Sequence, residues 1–209
     1  MTKALIILLL VIATRANAAT DVWLFYGWGP HGWSSGIDQI ARRVRTLSGV
    51  NHVTVLDYRD TQRAYDEARQ SPHEHSLAFV GYSCGGNAAI ATCAAFASSG
   101  RACYVIALQP SRWCGQYATT HNMPVVQDTW SAGTFGLGDY QPPGDAHRTI
   151  LIERPNPHGA ADTDATYQRD AVFAVGAIAD PSRRHWLANH LGWTTHFIGS
   201  NGRTVWLRE

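Results

Sequence analysis

The chain is short of charge of either sign. Its 209 residues carry 17 Lys and Arg against 16 Asp and Glu, a net charge of +1, and charged residues are 16% of the total. Nucleic acids and anionic membrane surfaces are held by excess positive charge, so neither is expected as a partner. Beyond residue 18 no apolar run is long enough to cross a bilayer. Cys-x-x-Cys is absent, and the spacing of the four cysteines does not suggest zinc. There is no internal repeat and no low-complexity segment.

What is present suits one domain with a full core: 45% hydrophobic residues, including eight tryptophans. Some of these tryptophans are expected to line a pocket or an apolar substrate face, the others to fill the core. The N-terminus reads as a secretory signal, with Lys3 as its positive end, Ala4 to Ala13 as its apolar stretch and Ala16-Asn17-Ala18 as a cleavage site. The expected division is a signal peptide over 1–18, a main domain over 19–180, and a C-terminal extension over 181–209 packed on that domain. The implied location is secreted or periplasmic, where cysteines are oxidised.

Strand-like and helix-like runs alternate. Val22–Tyr26, Val53–Leu56, Ser76–Val80, Tyr104–Leu108, Pro124–Gln127 and Thr149–Glu153 read as strands. Ile37, Ile40, Ala41, Val44 and Leu47 recur at helical spacing over Ser35–Leu47. Thr61–Gln70 reads as a polar surface helix and Asn87–Ala97 as a helix of small residues. Tyr167, Ala171, Val175 and Ile178 mark a last amphipathic helix. This order predicts an α/β fold, a three-layer sandwich with a mostly parallel sheet whose apolar strands are covered on both faces. Residues 132–148 read as a long loop over the top of the sheet, and Ser200-Asn201-Gly202 as a hairpin turn in the tail. Four cysteines allow three pairings. Cys84 and Cys114 are expected at the top of the sheet, and Cys93 and Cys103 near its bottom. This placement favours Cys84–Cys114 with Cys93–Cys103.

The most informative run is Leu77-Ala78-Phe79-Val80-Gly81-Tyr82-Ser83-Cys84-Gly85-Gly86. An apolar strand enters Gly-x-Ser-x-Gly and a helix leaves it. A serine hydroxyl becomes a nucleophile only when a base takes its proton, and it must stand clear of the backbone. A sharp strand-to-helix turn provides the clearance, and glycines on either side of the serine make the turn possible.

With the Gly-rich loop Tyr26-Gly27-Trp28-Gly29-Pro30-His31-Gly32 and the late His158, this elbow resembles the α/β-hydrolase superfamily, in a small form similar to lipase-like and cutinase-like serine esterases. The resemblance spans roughly Asp21 to Asp180. It implies Ser83 as nucleophile, His158 as base (His147 as fallback), and the backbone N–H groups of Trp28 and Cys84 as oxyanion donors. The position where related enzymes carry the acid is Gln109. Asp128, after the next strand, is therefore the expected acid, with Asp139 and Asp162 as alternatives. No cofactor and no metal are implied. His185, His190 and His196 in the tail are expected as surface residues.

The implied activity is hydrolysis of a small-molecule or lipid-like ester through an acyl-enzyme, on a protein with no integral membrane segment once the signal is removed. Trp28, Trp33, Trp113 and Trp130, expected near the top face, suggest an apolar acyl or aromatic substrate. A thioesterase, peptidase or polyester depolymerase would use the same fold. A non-catalytic binding protein is the alternative from a different class.

Overall fold

The computed structural model describes residues 19–96, 101, 103–111, 113–115, 125–129, 149–153, 159, 162–180, 193–197 and 204–208. The expected signal peptide, the loop over 132–148 with Asp139 and His147, Trp130, His158 and the turn at 200–202 lie outside the described residues.

The strands are β1 (Thr20–Phe25), β2 (Val50–Leu56), β3 (Ser76–Tyr82), β4 (Cys103–Leu108), β5 (Val125–Thr129), β6 (Thr149–Glu153), β7 (Trp193–Phe197) and β8 (Thr204–Arg208). The helices are α1 (Ser35–Val44), α2 (Thr61–Gln70), α3 (Cys84–Phe96) and α4 (Ala165–Ala179), and a single 3-10 turn, His31–Ser34, leads into α1. The strands form one sheet in the order β2-β1-β3-β4-β5-β6-β8-β7. Every pairing from β2 across to β8 is parallel, and β7 alone runs antiparallel, against β8.

The central strands carry continuous apolar runs, and both of their faces are covered. Val22 and Leu24 of β1, with Ala78, Val80 and Tyr82 of β3, turn to one side, where Ile37, Ile40 and Val44 of α1 and Tyr167, Ala171 and Val175 of α4 pack on them. Trp23, Phe25, Leu77 and Phe79 turn to the other side, against Ala64 and Ala68 of α2 and Ala88, Ile90 and Phe96 of α3. The fold is thus α/β, with a mostly parallel sheet between two helical layers. The four periodic residues of the last helix are all buried, as the 3.6-residue spacing requires.

Several element boundaries differ from the sequence reading, two of them in helices, and the tail has a further role. Helix α1 stops at Val44, where a tight turn with Leu47 N–H bonded to the Val44 carbonyl takes over. Helix α3 starts at Cys84, three residues before the expected Asn87, because it leaves the elbow directly. The tail does more than form a hairpin: β8 also pairs with β6, so the extension continues the central sheet.

The cysteines pair as Cys84–Cys114, with Cα atoms 5.2 Å apart, and Cys93–Cys103, at 5.9 Å. The first links the start of α3 to the loop after β4. The second links the later part of α3 to the start of β4.

Candidate active site

Ser83 is the single residue between β3 and α3, and its φ is +54°. This left-handed conformation is unfavourable for a residue with a side chain. It is the local signature of a sharp elbow, and the surrounding packing imposes it. A Cβ on Gly81 would land on the Gly85 carbonyl, and a Cβ on Gly85 would land on the carbonyls of Phe25 and Tyr26. The two motif glycines therefore let the first turn of α3 rest directly on the ends of β1 and β3. The Ser83 N–H donates to the Leu108 carbonyl at 2.9 Å, which fixes the elbow to the neighbouring β4.

Ser83 opens onto a cavity of about 650 Å³, within the usual range for small-molecule sites. Its described lining comes from four places. Trp28 and Trp33 belong to the segment after β1, Tyr82, Ser83 and Cys84 to the elbow, Ser111, Trp113 and Cys114 to the loop after β4, and Gly159 to the segment after β6. All lie at the carboxyl ends of parallel strands, where open α/β sheets place their ligands. None of these described lining residues is charged.

The loop after β1 is held close to the elbow. The Gly27 N–H donates to Ser34 Oγ at 3.0 Å, and a Cβ on Gly27 would press on both that hydroxyl and Tyr82. Trp28 follows immediately and lines the cavity. Cys84 opens α3, so its N–H is one of the four at a helix start that have no intrahelical acceptor.

The loop after β4 is clamped by Asn87, a residue of the first turns of α3 that is fully buried. Its Oδ1 accepts from the Ser111 N–H at 2.8 Å, and its Nδ2 donates to the Gly115 carbonyl at 2.6 Å. The Cys84–Cys114 bridge ties the same loop. Asn87 and Ser111 were not singled out from the sequence. An amide among small apolar helix residues four positions after the elbow serine was the available signal.

Ser83, Cys84 and Trp28 are thus brought to one cavity. Asp128 lies on β5 at the level of Leu108 on one side and Ile152 on the other, and Leu108 in turn pairs with Tyr82. Its backbone therefore sits at the carboxyl end of the sheet, two strands from the elbow. His158 is outside the described residues, but the next residue in the chain, Gly159, lines the cavity. Gln109 has φ +43°, and its side chain is buried, donating from Nε2 to the Tyr167 hydroxyl at 3.0 Å. Asp162 is fully buried and accepts from the Gly36 N–H through Oδ2 at 3.0 Å. Burial pushes its carboxyl up to about 6, against the opposing pull of backbone hydrogen bonds. Tyr82 is also pushed upward, mainly by burial and then by the charge of Asp162, so it stays protonated.

Among the described residues no group of His, Cys, Asp and Glu is arranged to hold a metal ion, and no helix is long and apolar enough to cross a membrane.

No protein-family model matches the chain, and no curated protein matches it. Among solved structures, the chain is similar to the RedJ thioesterase from the prodiginine biosynthetic pathway in Streptomyces coelicolor. The identity is 11%, the match covers 78% of this chain and 91% of that one, and the TM-score is 0.45.

Proposed function

We propose that the chain is an exported serine hydrolase that cleaves carboxylic esters. The observation that carries this reading is the elbow. Ser83 is held at φ +54° at the head of α3 and opens onto a cavity whose described lining is uncharged and also includes Trp28, Cys84 and Gly159.

In this reading Ser83 Oγ attacks the ester carbonyl while His158 takes its proton. The carbonyl oxygen becomes an oxyanion that accepts hydrogen bonds from the Trp28 and Cys84 N–H groups. Loss of one such donor typically costs about 3 kcal/mol of transition-state stabilisation. The tetrahedral species collapses, the proton on His158 passes to the departing alcohol, and an acyl-Ser83 remains. Water, deprotonated by the same imidazole, releases the acid and restores Ser83. Asp128 orients and charges His158. The buried bond from Gln109 to Tyr167 supports this choice over the first acid position, which carries no carboxylate. No cofactor takes part. Residues 1–18 are removed on export, and the two cysteine pairs suit an oxidising compartment outside the cytoplasm.

The test is labelling with a fluorophosphonate probe. Labelling of the intact protein should disappear in Ser83→Ala and fall sharply in His158→Ala. A folded wild-type protein that takes up no probe rejects the hydrolase in favour of the binding-protein reading. A series of esters, thioesters and peptides then separates carboxylic esters from the thioesterase, peptidase and depolymerase alternatives.

A further inference from the structure

Among the described residues, three tryptophans are left in solvent around Ser83. Trp28 is 64% exposed, Trp33 62% and Trp113 71%, whereas Trp23 is buried in the core. A single exposed indole is ordinary, but a cluster at one cavity marks a binding surface. The strand order explains the grouping. Strands β1 and β4 flank β3 on its two sides, so the loop with Trp28 and Trp33 and the loop with Trp113 approach Ser83 from opposite sides.

Both loops are fixed in place. Trp28 and Trp33 stand edge to face, with ring centroids 6.0 Å apart and planes at 61°. The N–H of Trp33 donates to the Pro30 carbonyl at 2.8 Å. Trp113 is carried by the segment that Asn87 and the Cys84–Cys114 bridge hold, and its N–H donates to Ser111 Oγ at 3.2 Å. Fixed aromatic surfaces lose little freedom on binding, which favours affinity.

The chemistry of the guest follows from what the described lining offers. It has no charged side chain to receive a carboxylate, phosphate or ammonium group. It offers flat rings instead, whose negative faces and positive edges attract another aromatic ring beyond the burial of area alone. A saturated ring of the same size gains the area and lacks the second term.

We propose that Trp28, Trp33 and Trp113 form a clamp for an uncharged aromatic ring of the ester substrate. The proposal rests on the Ser83 chemistry above, and its test is independent of turnover.

The Ser83→Ala protein is titrated with methyl 3-phenylpropanoate and, separately, with methyl 3-cyclohexylpropanoate, and each Kd is measured by calorimetry. The cyclohexyl ester is the more hydrophobic, so burial alone favours it. The clamp predicts tighter binding of the phenyl ester, by about two- to tenfold. Trp113→Leu in the same background should bring the ratio to one or below, with circular dichroism unchanged. Trp28→Leu provides the same comparison if the Trp113 variant folds poorly. No binding of either ester at millimolar concentration, a cyclohexyl preference in Ser83→Ala, or a phenyl preference that survives both substitutions overturns the clamp. Fluorophosphonate labelling of the wild type separates the two ideas. Labelling without phenyl preference rejects the clamp alone, while phenyl preference without labelling rejects the hydrolase and leaves an aromatic-ligand site.

Discussion

The Asp162 carboxylate accepts a hydrogen bond from the Gly36 N–H at 3.0 Å, joining the segment after β6 to the first turn of α1 across 126 residues of chain. Its own carbonyl crowds the same glycine, since a Cβ on Gly36 would overlap it. Sequence spacing placed Asp162 only near His158; the fold makes it a tie between two segments that border the elbow.

This tie gives a signed pH dependence. The folded-state carboxyl is raised to about 6 from 3.8 by burial. Between those values the unfolded chain has released its proton and the folded chain has kept it. Stability from this group therefore falls as pH rises through that window and is level above it, by on the order of 1–3 kcal/mol. Asp162→Asn keeps an acceptor for Gly36 and removes the charge. Urea unfolding of both proteins at pH 4 and pH 8 should show the variant gaining on the wild type at the higher pH. A difference between the two that does not change with pH rejects the argument.

At the opposite end of β1, Asp21 behaves with the opposite sign. Burial raises its pKa, but hydrogen bonds from Asn51, His75 and Ser71 outweigh that and hold it below the ordinary value of 3.8. Asn51 Nδ2 lies at 2.9 Å from one oxygen and His75 Nδ1 at 2.9 Å from the other. A depressed carboxylate contributes stability above its unfolded value and loses it as pH falls through the folded one. Asp21→Asn is expected to be less stable than the wild type by about 1–3 kcal/mol at pH 6. The gap should narrow below pH 3. Thermal melts across that range give the answer, and a gap that widens in acid contradicts it.

The conformation of Ser83 predicts a contrast between two inactive variants. Ser83→Ala retains a side chain at φ +54°, and Ser83→Gly does not. Relief of that strain, offset in part by the greater freedom of glycine in the unfolded chain, should leave Ser83→Gly the more stable by about 1 kcal/mol. Neither should take up a fluorophosphonate. Equal stability of the two would mean that the elbow is not strained at this residue.

Asn87 offers a test of the clamp on the loop after β4. In Asn87→Ala the Ser111 N–H and the Gly115 carbonyl each lose their partner, at a cost of about 1–3 kcal/mol. Asn87→Asp, protonated at low pH, keeps an acceptor for Ser111 and offers Gly115 a carboxyl O–H in place of the amide donor, so it should fall between the alanine variant and the wild type. The order of the three proteins in urea titrations at low pH is the measurement. An alanine variant as stable as the wild type excludes a structural role for this side chain.

Much of the fold was legible locally. Continuous apolar runs over β1, β3 and β4 required a sheet covered on both faces, and the spacing of Tyr167, Ala171, Val175 and Ile178 required the face of α4 that is buried. The start of α3 was misplaced because Gly85 and Gly86 are poor helix formers, whereas here the missing side chain of Gly85 lets the helix pack on the end of β1 and that of Gly86 lets it lie close to Pro110. The direction of Gln109 could not be read either. Its identity ruled out a carboxylate at that position, but only the packing of α4 shows its amide bonded to Tyr167.

The sequence by itself determined the alternation of strands and helices, the serine turn with its two glycines, and a charge too small to hold a polyanion. These follow from periodicity, steric demands and composition, which act over a few residues or over the whole chain at once. The tertiary structure decided which residues meet. It paired β6 with β8, gave Asn87 a loop to hold, joined Asp162 to Gly36, and left three tryptophans exposed beside Ser83 while burying Trp23. Contacts of this kind depend on strand order and on which side of the sheet each loop emerges, and no local pattern of residues encodes either.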